Sequence, residues 1–114
     1  MTLQQIIETL NLKLLTDQKD FSQIVASSGY ASDLLSCVMA GAQSQGIWVT
    51  LQAHANVVAV AALLDLSAVI ITEGAMPDVS IIAKANEEGV TLLSTEELTF
   101  CVVGKLWDMG LRSE

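Results

Sequence analysis

The chain has little of what enzymes most often use. It holds one histidine, two cysteines, one proline and five basic residues. One histidine and two distant cysteines cannot assemble the ligand cluster of a zinc centre. HExxH, GxxxxGKS/T, GxGxxG and GxSxG are all missing. The basic residues Lys13, Lys19, Lys84, Lys105 and Arg112 are scattered, whereas phosphoryl transfer needs clustered cations and a metal. Thirteen acidic residues against five basic ones give a net charge of −8. Such a surface repels phosphate backbones, so no nucleic-acid partner is expected. Long hydrophobic runs are missing too. The most apolar tract is interrupted by His54, Asn56, Asp65 and Ser67, which excludes a membrane span of about 20 apolar residues. Met1 to Gln5 carries neither the basic region nor the apolar core of a signal peptide, so a cytoplasmic location is expected. Cys37 and Cys101 form no CxxC pair. They fall in helical segments beside Val and Met or Phe, and the expectation is two buried thiols without a disulfide.

What the chain does have is apolar bulk. Hydrophobic residues make up 52% and the mean hydropathy is +0.52. A length of 114 residues suits one domain spanning 1–114, burying roughly two-thirds of the surface of the unfolded chain. The apolar excess implies a sheet buried on both faces, an apolar face covered by another subunit, or both.

The most informative stretch is Gly46 to Thr72. The run Ile47-Trp48-Val49-Thr50 reads as a strand, Leu51 to Asn56 as a polar loop, and Val57 to Asp65 as a helix. Ala68 to Thr72 follows as a second strand, completing a βαβ unit. Upstream, Thr2 caps a helix to Leu10 whose stripe is Leu3, Ile6, Ile7 and Leu10. Lys13 to Thr16 reads as a short strand and Asp17 to Asp20 as a turn. Phe21 to Ser27 is a strand candidate, Ser27 to Tyr30 a loop, and Asp33 to Ala40 a helix capped by Ser32 or Asp33. Downstream, Glu73 to Pro77 is a loop, and Asp78 caps a helix over 79–88 that Gly89 ends. Val90 to Leu93 is the last strand. Ser94 with Glu97 forms a capping box opening a terminal helix to Met109, stopped by Gly110. Strands alternating with helices predict an α/β fold with a mainly parallel sheet.

In open α/β sheets, ligands bind beyond the carboxyl ends of the strands. The loop after Thr50 carries Gln52, His54 and Asn56; the loop after Thr72 carries Glu73 and Gly74. These five are the candidate ligand-binding residues. His54 can contact a ligand or donate a proton there, or serve as a polar loop residue at the sheet edge or in a subunit interface. Asn56 suits an N-cap, Glu73 and Gly74 a plain turn. The pairs Glu87-Glu88 and Glu96-Glu97 read as solvated helix faces. Trp48 and Trp107 are apolar anchors for core or interface. Asp33, Glu73 and Asp78 lie near the loops but suit caps and turns, so no catalytic residue is assigned and no metal site or cofactor is expected. A dimer is expected from the apolar excess. Its first candidate surface is the stripe Tyr30, Leu34, Leu35, Val38 and Met39.

The segments Ser28 to Ala40, Trp48 to Ala61 and Ala68 to Thr72, in this order and spacing, resemble the DRTGG domain and, distantly, the non-catalytic N-terminal domain of HPr kinase/phosphorylase. Ser28-Gly29 stands where the family's Gly-Gly pair is expected, and no Arg precedes it. The resemblance implies a three-layer α/β/α domain without catalytic residues. It also implies a dimerising or regulatory role, since such domains occur fused to CBS pairs, phosphatases or phosphotransacetylases. The expected function is therefore a regulatory or interaction module acting on a separate enzyme or CBS-type chain. The alternative is a sensor binding a nucleotide or phosphorylated metabolite at loops 52–56 and 73–78.

Overall fold

The computed structural model describes residues 1–112. Its elements are α1 (Leu3–Leu10), β1 (Lys13–Leu14), β2 (Gly29–Ala31), α2 (Leu35–Gly41), β3 (Ile47–Thr50), α3 (Ala55–Leu63), β4 (Ala68–Ile71), α4 (Val79–Glu88), β5 (Leu92–Ser94) and α5 (Thr99–Met109). The strands form one sheet in the order β1-β5-β4-β3-β2. β2 to β5 are parallel; β1 is antiparallel to β5.

The parallel strands cross the sheet in chain order. Crossovers of one hand then put α2, α3 and α4 on the same face. There Val38, Val57, Val58, Ala61 and Ala85 pack on Trp48, Val69, Ile71 and Leu92. On the other face Leu3, Ile6, Leu10, Val102 and Leu106 pack on Ile47, Val49, Ala68, Ile70 and Leu93. Successive strand residues therefore enter different cores. All of β3 and β4 is buried, as the run of apolar residues requires in a sheet covered on both sides. This is the three-layer α/β/α arrangement expected, and it absorbs much of the apolar composition. Among the described residues no helix is long and apolar enough to cross a membrane.

Several caps match the sequence. Thr2 accepts from the Gln5 N–H at 3.2 Å while Gln5 Oε1 accepts from the Thr2 N–H at 2.9 Å. Asp78 accepts from Ile81 N–H, and Gly89 and Gly110 end their helices in the left-handed region. Other expectations are corrected. Phe21 to Ser27 is not a strand. Asp20 accepts from the Ser22 N–H at 3.2 Å and turns Phe21–Gln23 into a 3-10 helix. Only Val25 is left to make an isolated bridge, to Thr2. The expected loop at Ser27 to Tyr30 instead contains the start of the edge strand β2. The cap of α2 is neither expected residue: Leu34 holds the position without a side-chain bond. His54, not Asn56, occupies the cap position of α3, again without a side-chain bond. The capping box at Ser94 does not form, because Ser94 is the buried end of β5, paired with Lys13 and Ile71. α5 starts at Thr99. Both cysteines are exposed rather than buried, on the outer sides of α2 and α5.

Candidate functional site

The carboxyl ends of β2 to β5 lie side by side, and most of their polar groups are tied to one another. Asp33, after β2, accepts from the buried Thr50 hydroxyl at 2.7 Å and from the Leu51 N–H at 2.9 Å. Thr50 Oγ1 in turn accepts from the Gln52 N–H at 3.2 Å. Asp33 therefore fixes the start of the loop after β3, a bond across the sheet in place of the local cap that its sequence position suggested. Both bonds end on the same carboxylate oxygen, Oδ1.

Gln52, His54 and Asn56 share that loop and the first turn of α3. Gln52 Oε1 is buried and has no hydrogen-bond partner. His54 and Asn56 are exposed. Glu73 and Gly74 turn the other way, toward β5 and α5. Both have positive φ, 60° and 74°. The Glu73 N–H donates to Glu97 O at 2.8 Å and the Gly74 N–H to Thr95 O at 3.1 Å. Glu73 Oε2 accepts from the Thr99 N–H at 3.2 Å, so it caps α5 from the neighbouring loop. A Cβ on Gly74 would lie 2.6 Å from Glu96 Oε2, and its φ also favours glycine.

Two cavities flank this edge. One, of about 520 Å³, lies where β4 and β5 send α4 and α5 to opposite faces; Gly74, Met76, Thr95, Glu96, Lys13 and Lys105 help to line it. Its charges are mixed, and Lys105 is paired with Glu97 at 2.6 Å. The other, of about 330 Å³, opens between the edge strand β2 and α5. Gly29, Tyr30, Ala31 and Val49 form one side; Val103, Leu106, Trp107, Leu111 and Arg112 form the other. The Arg112 guanidinium lies 4.0 Å from the centre of the Trp107 ring. Gln52, His54 and Asn56 line neither cavity.

No three His, Cys, Asp or Glu side chains among the described residues converge as metal ligands. The Asp78 carboxyl is held below the usual carboxylate range by the Ser80 hydroxyl and then the Ile81 N–H, the environment of a helix cap. Of the stripe Tyr30, Leu34, Leu35, Val38 and Met39, Val38 is fully buried on the sheet side of α2. Leu34 and Met39 are exposed.

One feature was missed from the sequence. α5 has two apolar stripes, not one. Val102 and Leu106 face the core, while Phe100, Val103 and Trp107 are exposed, Phe100 at 88% and Val103 and Trp107 along the flank that borders the cavity beside β2. The spacing i, i+3, i+7 of the second stripe is legible in the sequence. Of the two expected anchors for core or interface, Trp48 is in the core, fully buried, its Nε1 donating to Ser32 O at 2.9 Å, and Trp107 is more than half exposed.

The model of the DRTGG domain family matches residues 5–109. Among solved structures, the chain is similar to the CBS and DRTGG domains of the regulatory region of Clostridium perfringens pyrophosphatase, complexed with its activator diadenosine tetraphosphate. The TM-score is 0.74 at 18% identity, over 90% of this chain and 44% of that one. The chain therefore spans less than half of that structure, and the likeness is one of fold. No curated protein matches the chain.

Proposed function

The chain belongs to the DRTGG domain family, and on that footing we propose that it is a non-catalytic regulatory and interaction module of the cytoplasm, a homodimer acting on a separate partner chain. The observation that carries this reading is a contrast between two surfaces. At the strand ends, Asp33 and Glu73 are spent on structural hydrogen bonds. On α5, Phe100, Val103 and Trp107 stand exposed. Catalysis needs convergent, available titratable groups; association needs an uncovered apolar face. The partner proposed is an enzyme or a CBS-type protein. In the similar pyrophosphatase, CBS and DRTGG domains share one regulatory region.

The direct test is to titrate the purified chain into any enzyme or CBS-type protein found to be encoded beside its gene. The expected result is no turnover by the chain alone and a change in the enzyme's rate that saturates. Turnover that copurifies with the chain and disappears in Glu73→Gln or His54→Ala contradicts the proposal.

A second reading is favoured by the unpartnered Gln52 Oε1. A buried acceptor without a donor is costly, and a ligand seated by Gln52, His54 and Asn56 would supply one; Glu73 and Gly74, which turn toward β5 and α5, fall outside that seat. The ligand class is a nucleotide or a phosphorylated metabolite. A ligand at a hundred times its dissociation constant adds about 2.7 kcal/mol of apparent stability. A thermal-shift series with such compounds detects it.

A further inference from the structure

Arg112 ties the edge strand β2 to the end of α5. Its carbonyl accepts the Gly29 N–H at 2.9 Å. Its guanidinium Nη1 donates to Trp107 O at 2.6 Å and to Leu111 O at 3.1 Å. The 330 Å³ cavity lies between the two elements so tied, and Arg112 lines it. The cavity exists because β2 puts little bulk on this side of the sheet. A Cβ on Gly29 would meet the Leu111 side chain at 3.1 Å, so position 29 faces α5. Ala31, two residues on, shares that face. Val49 of β3 and the flank of α5, with Val103, Leu106 and Trp107, supply apolar walls. A cavity of about 300–1,000 Å³ with apolar walls and few fixed polar groups is the ordinary form of a small-molecule site.

The charge in it is singular. Of the residues lining the cavity, Arg112 alone is charged, in a chain with thirteen acidic residues and five basic ones. Capping the end of α5 accounts for one nitrogen only, because both bonds leave from Nη1. Nε and Nη2 make no bond among the described residues. Guanidinium N–H groups in parallel are what a carboxylate takes with both oxygens. The Trp107 ring, 4.0 Å from the guanidinium, fixes the cation further.

We propose that this cavity binds a monocarboxylate with an apolar chain, its carboxylate on Nε and Nη2 of Arg112 and its hydrocarbon among Val49, Val103 and Leu106. A nucleotide, with several charges and a polar sugar, has no match in these walls. The site is separate from the loop of Gln52, His54 and Asn56, and it does not depend on the homodimer. Trp107 belongs both to a wall of the cavity and to the exposed part of α5, so an occupant acts at the surface proposed for association.

Isothermal titration calorimetry of octanoate into the full chain tests this, with octanol as the chain without the charge and acetate as the charge without the chain. Octanoate should saturate a single site. Octanol should bind at least about ten-fold more weakly, the loss expected when a charge-assisted hydrogen bond is removed. Acetate should not bind. Arg112→Gln keeps the backbone bond to Gly29; it should bring octanoate down to the affinity of octanol and leave octanol unchanged. Val103→Phe, at a partly exposed position, fills the cavity and should weaken both. Octanoate should change the tryptophan emission of the unchanged chain but not of Trp107→Phe, since Trp48 lies in the core on the other face of the sheet. Octanoate that does not bind, octanol that binds as tightly, or full octanoate affinity in Arg112→Gln overturns the proposal. So does an Arg112→Gln chain that loses octanoate and octanol alike and melts lower, because Arg112 is then a structural cap and nothing more.

Discussion

Glu73 Oε2 accepts the backbone N–H of Thr99 at 3.2 Å, so the turn after β4 caps the helix that follows β5. The bond spans 26 residues and replaces the local capping box expected at Ser94. It holds together the two loops at the point where α4 and α5 part to opposite faces. Glu73→Ala should lower stability by about 1 kcal/mol, the usual cost of a lost helix cap. Urea denaturation reads this directly. An unchanged midpoint would show that water caps α5 equally well.

Asp33 does similar work one layer of loops away. It satisfies the buried hydroxyl of Thr50 and the Leu51 N–H. Asp33→Ala leaves Thr50 without that partner and should destabilise by about 1–3 kcal/mol. A neutral effect in the same denaturation series would mean the loop after β3 rearranges freely.

Asp78 gives a pH dependence. Its folded pKa is lowered by the Ser80 hydroxyl at 2.6 Å and the Ile81 N–H at 3.2 Å. A lowered carboxyl pKa contributes stability that is present above the unfolded value and lost as pH falls through the folded one. Asp78→Asn should therefore melt below the unchanged chain at neutral pH, and the gap should close as the pH is taken below the carboxylate range. Melting curves of both proteins along that pH series check it; a gap that widens in acid has the wrong sign.

His54 is exposed and makes no side-chain bond in the cap of α3. His54→Ala should therefore leave stability within about 0.5 kcal/mol, as for a surface position. Any weakening of a ligand found by thermal shift then reports binding alone. A large loss of stability without ligand would reveal a contact that His54 makes between subunits.

The central strands were legible because burial on both faces leaves an unmistakable apolar run, as in Ile47 to Thr50 and Ala68 to Ile71. β2 was not, because Gly29-Tyr30-Ala31 is short and has no β-branched residue; β3 alongside it supplies the order. Phe21 to Ser27 misled through its partial alternation, which the Asp20 turn overrides. Cys37 and Cys101 have apolar neighbours in sequence, but the helix turns them outward. Local chemistry suggested caps at Ser32, Asn56 and Ser94. Sheet pairing took Ser94, and a bond across the sheet took Asp33. The candidate ligand residues were placed by the rule for strand ends, which fixes their edge of the sheet but not the direction each loop turns.

The account rests on association through an apolar surface, and the mass of the unchanged chain in solution tests that most directly. Sedimentation equilibrium across the micromolar range should return twice 12.1 kDa. A mass of 12.1 kDa at every concentration would contradict it.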